Sequence, residues 1–528
     1  MNSKTWTRLI AMTSLAALAI PVQLAAQDKQ QPQHKFHHYQ FIDVGTFGGP
    51  NSYINPAFSF GSHSQINRRG VAAGGSGTSI PTTATSDPLI CGGLDGTVPF
   101  VNHAFVWQEG NVTDLGALAG ADNCSVATSI NARGEITGLS ENGLIDPAVG
   151  VKQIRGVLWK DGQIRDLGTL GGNGSSAAAI NSRGQVVGFA FNAIPDPLSY
   201  IYFGLAGSTT GTQTRAYLWE NGVMQDLGTL GGPDAAAGFV NERGQVAGLS
   251  YTNSTVNPVT GLPTIHPFVW TRENGMRDLG SLGGTLGSVN CACGGFNNRG
   301  QLVGLSDLAG DQIAHPFLWD GEKLIDLFTD TIGATPNSAD DINDAGEIVG
   351  NASFPNGASD AYLWKNGMAT DLGTLDGDCY SEAFAINSRG QVVGQSYSCA
   401  TGTERTFLWE SGSMIDLNTF VPPSSGVQLI EAYAINERGE IGGDGNPPGC
   451  VNPNDAACGH AFLLIPCDEN HPGIEGCDYS MVDASAATSS RPTRREVPGN
   501  IVPLVHPHRN NRFLSPGSRS RLAQPGKR

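Results

Sequence analysis

Ala383–Ser396 reads AFAINSRGQVVGQS. A short apolar run ends at Asn387, two polar residues follow, Gly390 comes next, and a second apolar run begins. Asparagine caps a tight turn through its side chain, and glycine takes positive φ without steric cost. The stretch therefore predicts two antiparallel strands folded about Asn387–Gly390.

The same phrase recurs along the chain, with its glycine at Gly70, Gly134, Gly184, Gly244, Gly300, Gly346, Gly390 and Gly439. A second phrase recurs as often: HAFVW from His103, RGVLW from Arg155, RAYLW from Arg215, HPFVW from His266, HPFLW from His315, DAYLW from Asp360, RTFLW ending at Trp409, and HAFLL from His460. A third is Asp-Leu-Gly or a variant, at Asp43, Asp114, Asp166, Asp226, Asp278, Asp326, Asp371 and Asp416. The tryptophan phrase runs straight into turn chemistry, as in WKDG at Trp159 and WENG at Trp219. One repeat is thus four strands, a to d, in up-and-down order. Segments such as QVVG and AYLW are apolar on both faces, so each sheet must be covered on both. A β-propeller blade meets that need, because similar sheets stack on either side of it.

The order of the phrases predicts how the array closes. A lone d strand, YQFIDVGTFGG, comes first at Tyr39, and a lone a–b–c set comes last, ending at Pro466. Together they make one blade. The expectation is an all-β, eight-bladed propeller of four-stranded antiparallel blades over residues 39–466, closed by pairing of the N-terminal d strand with the last blade. A solenoid β-helix has no reason to split one repeat between the two ends of the chain.

HAFVW, DLGTLGG and AINSRGQVVG, taken as a set, resemble the HAF family of extracellular repeats, named for the His-Ala-Phe found at His103–Phe105 and His460–Phe462. The resemblance spans nearly all of 39–466. It implies a bacterial, exported repeat protein and carries no reaction with it. Arg155, Arg215 and Asp360 stand where the phrase has His, and Leu464 where it has Trp.

Flanking segments agree with export. Residues 1–26 hold Lys4 and Arg8, an apolar run, then Ala25 and Ala26, which reads as a secretory signal peptide. No later stretch is long and apolar enough to be a membrane helix. Residues 27–38 read as a linker. Residues 467–528 read as a basic, disordered tail: from Ala487 onward there are nine basic residues and one acid, against a net charge of −17 for the whole chain. The rest of the chain therefore carries about −25. Ten cysteines in an exported chain favour disulfides. The expected pairs are Cys379 with Cys399 across the open end of a hairpin, and Cys91 with Cys124, Cys450 with Cys458, and Cys467 with Cys477 as loop staples. Partners for Cys291 and Cys293 stay open.

Function is less legible. The a–b and c–d turns are uniformly short, whereas several b–c connections are long, and all of these fall on one face. Variable loops on a rigid scaffold are where binding resides. Tyr200, Tyr202 and Phe203 in the third b–c insertion are the candidate ligand-binding residues. The chain is expected to be a secreted, periplasmic or cell-surface binding or scaffold module. Its expected partner is a glycan or a protein, with no nucleic acid, no membrane span, and a monomeric state. The alternative is a carbohydrate-active hydrolase or lyase with carboxylates at the mouth of the central channel, for which Glu135, Asp196 and Asp307 are candidates. No Gly-x-Ser-x-Gly, phosphate-binding loop or His-Glu-x-x-His occurs. One Asp per blade does not converge on a cation, and the His positions lack ligand spacing. No metal and no cofactor are expected.

Overall fold

In the computed structural model the backbone turns as the repeated asparagine demands. At Asn181 the main chain closes through Gly184 N–H to Asn181 C=O (2.9 Å) and Asn181 N–H to Gln185 C=O (3.1 Å), with Gly184 at φ +79°. The side-chain Oδ1 of Asn181 accepts from the N–H groups of Arg183 and Gln185. In five units the c–d turn places two residues in the left-handed region, as at Asn221 (φ +53°) and Gly222 (φ +90°), which is the type I′ geometry that suits a right-twisted hairpin. The described residues are 35–54, 64–91, 99–147, 150–196, 211–289, 294–327, 335–354, 357–450 and 458–483.

These turns organise the chain into four-stranded antiparallel units. The first is Gly48–Tyr53, Ala72–Pro81, Phe100–Gln108 and Asn111–Asp114. The second is Ser125–Ile130, Ile136–Ile145, Lys152–Lys160 and Gln163–Asp166. The third is Gly171–Ile180, Val186–Pro195, Thr212–Glu220 and Val223–Asp226. The fourth is Ala235–Val240, Val246–Tyr251, Ile265–Thr271 and Gly275–Asp278. In the fifth the a strand is interrupted (Gly283–Ser288 and Gly295–Phe296) before Leu302–Leu308, Ala314–Trp319 and Leu324–Asp326. The sixth is interrupted likewise: Thr335–Pro336 and Asp341–Ile342, then Ile348–Ser353, Ser359–Lys365 and Met368–Gly373. The seventh is Tyr380–Ile386, Val392–Tyr397, Glu404–Glu410 and Ser413–Asp416.

The last unit joins the two ends of the chain. Gln428–Ile435, Ile441–Asn446 and His460–Pro466 take Tyr39–Asp43 as their fourth strand, with Phe41 opposite Leu464 and Asp43 opposite Phe462.

Apolar residues on facing sheets form the cores between units. Val187 and Leu218 of the third unit pack with Val246, Phe268 and Trp270 of the fourth. Leu463 and Ile465 of the last pack with Ala72, Phe105 and Trp107 of the first. Burying each such side chain stabilises by about 1.5–3 kcal/mol. The glycine ending each Val-x-Gly has a distinct cause. A Cβ on Gly188 would stand 2.0 Å from the carbonyl oxygen of Ser176, where the a strand bulges toward it.

The turn asparagines also join the units to one another. Each Nδ2 donates to the main-chain carbonyl of the next asparagine, from Asn67 to Asn131, Asn181, Asn241, Asn297, Asn343, Asn387 and Asn436, at 2.9–3.1 Å. Asn436 then donates to Asn67 at 2.8 Å, so the circuit returns to its start.

Folded structure continues past the boundaries expected at 38 and 466. Lys35–His37 pairs with Met481–Asp483, Cys467 N–H donates to His38 C=O at 2.8 Å, and Cys467 is bonded to Cys477. Cys467–Asp483, which composition assigns to the tail, is therefore folded, held by a disulfide and strand pairing. No helix among the described residues is long and apolar enough to cross a membrane.

Candidate functional site

The recurring His and Asp meet across strands c and d. His103 Nδ1 lies 2.8 Å from Asp114, His266 2.8 Å from Asp278, His315 2.9 Å from Asp326, and His460 3.0 Å from Asp43. Where arginine replaces His the pair persists: Arg155–Asp166 at 3.8 Å, Arg215–Asp226 at 3.1 Å and Arg405–Asp416 at 3.2 Å. The same aspartates also cap turns, as in Gly116 N–H to Asp114 at 2.7 Å. These are struts within each unit, and they occupy the carboxylates. Burial pushes Asp43, Asp114 and Asp278 up, but the His contact and the glycine N–H outweigh it and hold all three below the usual aspartate range. In the sixth unit Asp360 stands at the His position, and burial raises Asp371 instead. The recurrence of His or Arg in strand c and of Asp in strand d was visible in the sequence, but not that the two face each other.

The carboxylates named for a catalytic reading do not share a place. Glu135 sits at an a–b turn, bonded to Asn131 and Arg133 (both 2.6 Å) and to Lys160 (2.8 Å). Burial pushes its pKa up, but these partners outweigh burial and hold it below the usual glutamate range. Asp196 follows Val186–Pro195 and Asp307 lies in Leu302–Leu308, both at the b–c end. Asp307 is half-buried beside Asp311, and burial first and that charge second push it up to about 6. Tyr200, Tyr202 and Phe203 lie outside the described residues, as do Cys291 and Cys293. The structure pairs Cys91–Cys124, Cys379–Cys399, Cys450–Cys458 and Cys467–Cys477. Cys91 and Cys124 converge with Glu141, but the two sulfurs are bonded to each other and so offer no thiolate to a metal.

What the repeat does not explain lies toward the b–c end of the last units. Residues facing each other on strands a, b and c form a row across each sheet. The rows read Val126–Leu139–Gly156, Ser176–Phe189–Ala216, Ala236–Leu249–Pro267 and Ser288–Leu305–Pro316 in the second to fifth units. In the seventh the row is Glu382–Gln395–Thr406, and in the last it is Glu431–Asp444–Ala461. The large apolar residue of strand b has become an amide or a carboxylate. Around these rows Tyr380 OH donates to Glu382 at 3.0 Å, Tyr433 OH donates to Glu431, and Tyr433 stacks on Phe384 with ring centroids 5.3 Å apart. Asp444 accepts from Ile54 N–H at 2.9 Å. Carboxylates, an amide and tyrosines brought together this way can hold a ligand rich in hydroxyl groups or positive charge.

No family model and no curated protein matches the chain. Among solved structures, it is similar to the β-propeller domain of the Trilobed protease from Pyrococcus furiosus, at 10% identity over 61% of this chain and 92% of that one, TM-score 0.37. It is similar to a Mycobacterium tuberculosis puromycin-hydrolysing peptidase at 12% identity over 77% of this chain and 63% of that one, TM-score 0.37. An oligogalacturonate lyase in complex with manganese aligns at 8% identity over 64% of this chain and 86% of that one, TM-score 0.35.

Proposed function

We propose that the chain is an exported, closed propeller of eight blades, of the HAF-repeat kind, and that it acts as a binding or scaffold module. Its ligand sits on the face bearing the long b–c connections. The observation that carries this reading is the placement of the departures from the repeat. The a–b turns are alike from unit to unit and are tied together by the asparagine circuit. The b–c end holds the long insertions and the polar rows Glu382–Gln395–Thr406 and Glu431–Asp444–Ala461. A frame that is uniform at one end and individual at the other is the usual division between scaffold and binding surface. Four disulfides fit an oxidising compartment.

A glycan and peptide array probed with the mature chain tests this. Retention of a defined ligand class is expected, and its loss when residues 191–214 are replaced by a short turn would locate it on that face. An array that retains nothing above background overturns the reading.

A second reading, a carbohydrate-active hydrolase or lyase, is favoured by Glu382, Glu431 and Asp444 standing in adjoining units. Incubating any retained oligosaccharide with the protein distinguishes the two: shortened products indicate turnover, and an unchanged ligand indicates binding alone.

A further inference from the structure

The row Glu382–Gln395–Thr406 differs from all the others in being polar at every position, and two of its shielded polar atoms have no hydrogen-bond partner. Thr406 stands where the other units have Ala104, Gly156, Ala216, Pro267, Pro316, Ala361 and Ala461. Its residue is 0% exposed, and its hydroxyl has no hydrogen-bond partner. The Oε1 of Gln395 is shielded from solvent and likewise lacks one. The neighbouring polar rows are different. In the sixth unit Asn351 gives Nδ2 to Ser381 C=O at 2.8 Å and accepts from Asn337 at 2.7 Å. In the last, Asp444 takes the Ile54 N–H.

An unpaired buried hydroxyl or amide oxygen is destabilising, and the apolar rows show that this slot accepts apolar side chains. We infer that Glu382, Gln395 and Thr406, with Tyr380 on the same strand and Tyr433 of the adjoining unit, form a binding site for a neutral saccharide. The inference rests on the reading of the chain as a binding module. Because the three row residues are cross-strand partners, their side chains leave the sheet on one face. Together they offer a carboxylate acceptor, an amide acceptor and a hydroxyl that both donates and accepts. A sugar ring presents hydroxyls of the same dual character on adjacent carbons. Beside the row, Tyr433 and Phe384 stack on each other, both almost fully buried. An anion would meet Glu382 and Glu431. A hard cation requires six or more converging oxygens, which one carboxylate in the row does not supply.

The test uses the mature chain and the double variant Gln395→Leu/Thr406→Val, which restores the apolar character of the other rows. Probes are neutral gluco-, manno-, xylo- and galacto-oligosaccharides on an array, with hits measured by calorimetry. The wild type is expected to bind one series. The double variant should lose affinity at least tenfold while melting at the same temperature or higher, since two unpaired polar groups have gone. A variant that melts lower and binds as before makes the row structural and overturns the site. A variant that melts as before and binds as before places the ligand elsewhere and also overturns it. If only peptides are retained, the saccharide inference fails and the binding module stands. If nothing is retained, both fail.

Discussion

Each turn asparagine does two jobs, one local and one between neighbours. Asn241 accepts from Arg243 and Gln245 N–H, donates to Gln245 Oε1 at 2.8 Å, and donates to Asn297 C=O at 3.1 Å. Asn241→Ala removes all four and is expected to lower stability by about 2–4 kcal/mol, read as a shift of the urea midpoint. Gly184→Ala should also destabilise, because its φ is +79° and a Cβ there would stand 2.7 Å from Nη2 of Arg133. The paired aspartates have a pH signature. Asp114 and Asp278 lie below the ordinary 3.8 when folded, so their contribution is complete above that value and is lost as pH falls through the folded one. Asp371 is raised, so a carbon-detected NMR titration should show it protonating before Asp114 and Asp278 as acid is added. The local job of Asn and Asp was legible in single repeats. The pairings were not, because they depend on which c-strand residue faces which d-strand residue.

Among the elements, the segment Cys467–Asp483 departs most from its expectation. The His471 side chain, 1% exposed, lies 2.6 Å from Asp468 and 3.1 Å from Glu440, and Tyr479 OH donates to the His471 carbonyl. Glu440 in turn accepts from Asn436 of the circuit, so the imidazole ties this segment to the last a–b turn. Burial lowers the His471 pKa, but the two carboxylates outweigh burial and the nearby Arg438 and raise it above 6.5. A raised folded-state value means the stabilisation is complete below 6.5 and is lost as pH rises through the folded value. Hydrogen exchange of residues 467–483 should therefore quicken on that rise, and in His471→Gln it should be fast on both sides of it. Composition pointed to disorder here because it averages over a long stretch and does not register the disulfide, the strand pairing and the buried imidazole that fix Cys467–Asp483. The Cys379–Cys399 hairpin, by contrast, was readable, since strand pairing brings both cysteines to its open end, with Cα atoms 5.8 Å apart. Replacing both with serine should cost about 3 kcal/mol, measured by chemical denaturation against the oxidised wild type.

At the scale of the molecule, stability depends on the two ends of the chain meeting. Tyr39–Asp43 pairs with His460–Pro466, Val44 N–H donates to Ala461 C=O at 3.0 Å, and Asp43 holds His460. A chain beginning after Val44 is expected to melt at least about 10 °C lower in a single calorimetric transition, because an opened array exposes two apolar sheet faces at once. Loss of one unit at a time would contradict that coupling. The sequence by itself determined the strands, the turns, the four-strand unit and the meeting of the two ends. Those features follow from short-range patterning: apolar runs, Asn-x-x-Gly, Asn-Gly or Asp-Gly, and an orphan strand at one end answering an orphan set at the other. Only the tertiary structure decided that the asparagines form a circuit, that His and Arg hold the aspartates, and that Glu382, Gln395 and Thr406 share one face of one sheet. Residues from three strands or from neighbouring units become adjacent only through register and stacking, and no linear pattern in a single chain encodes that adjacency.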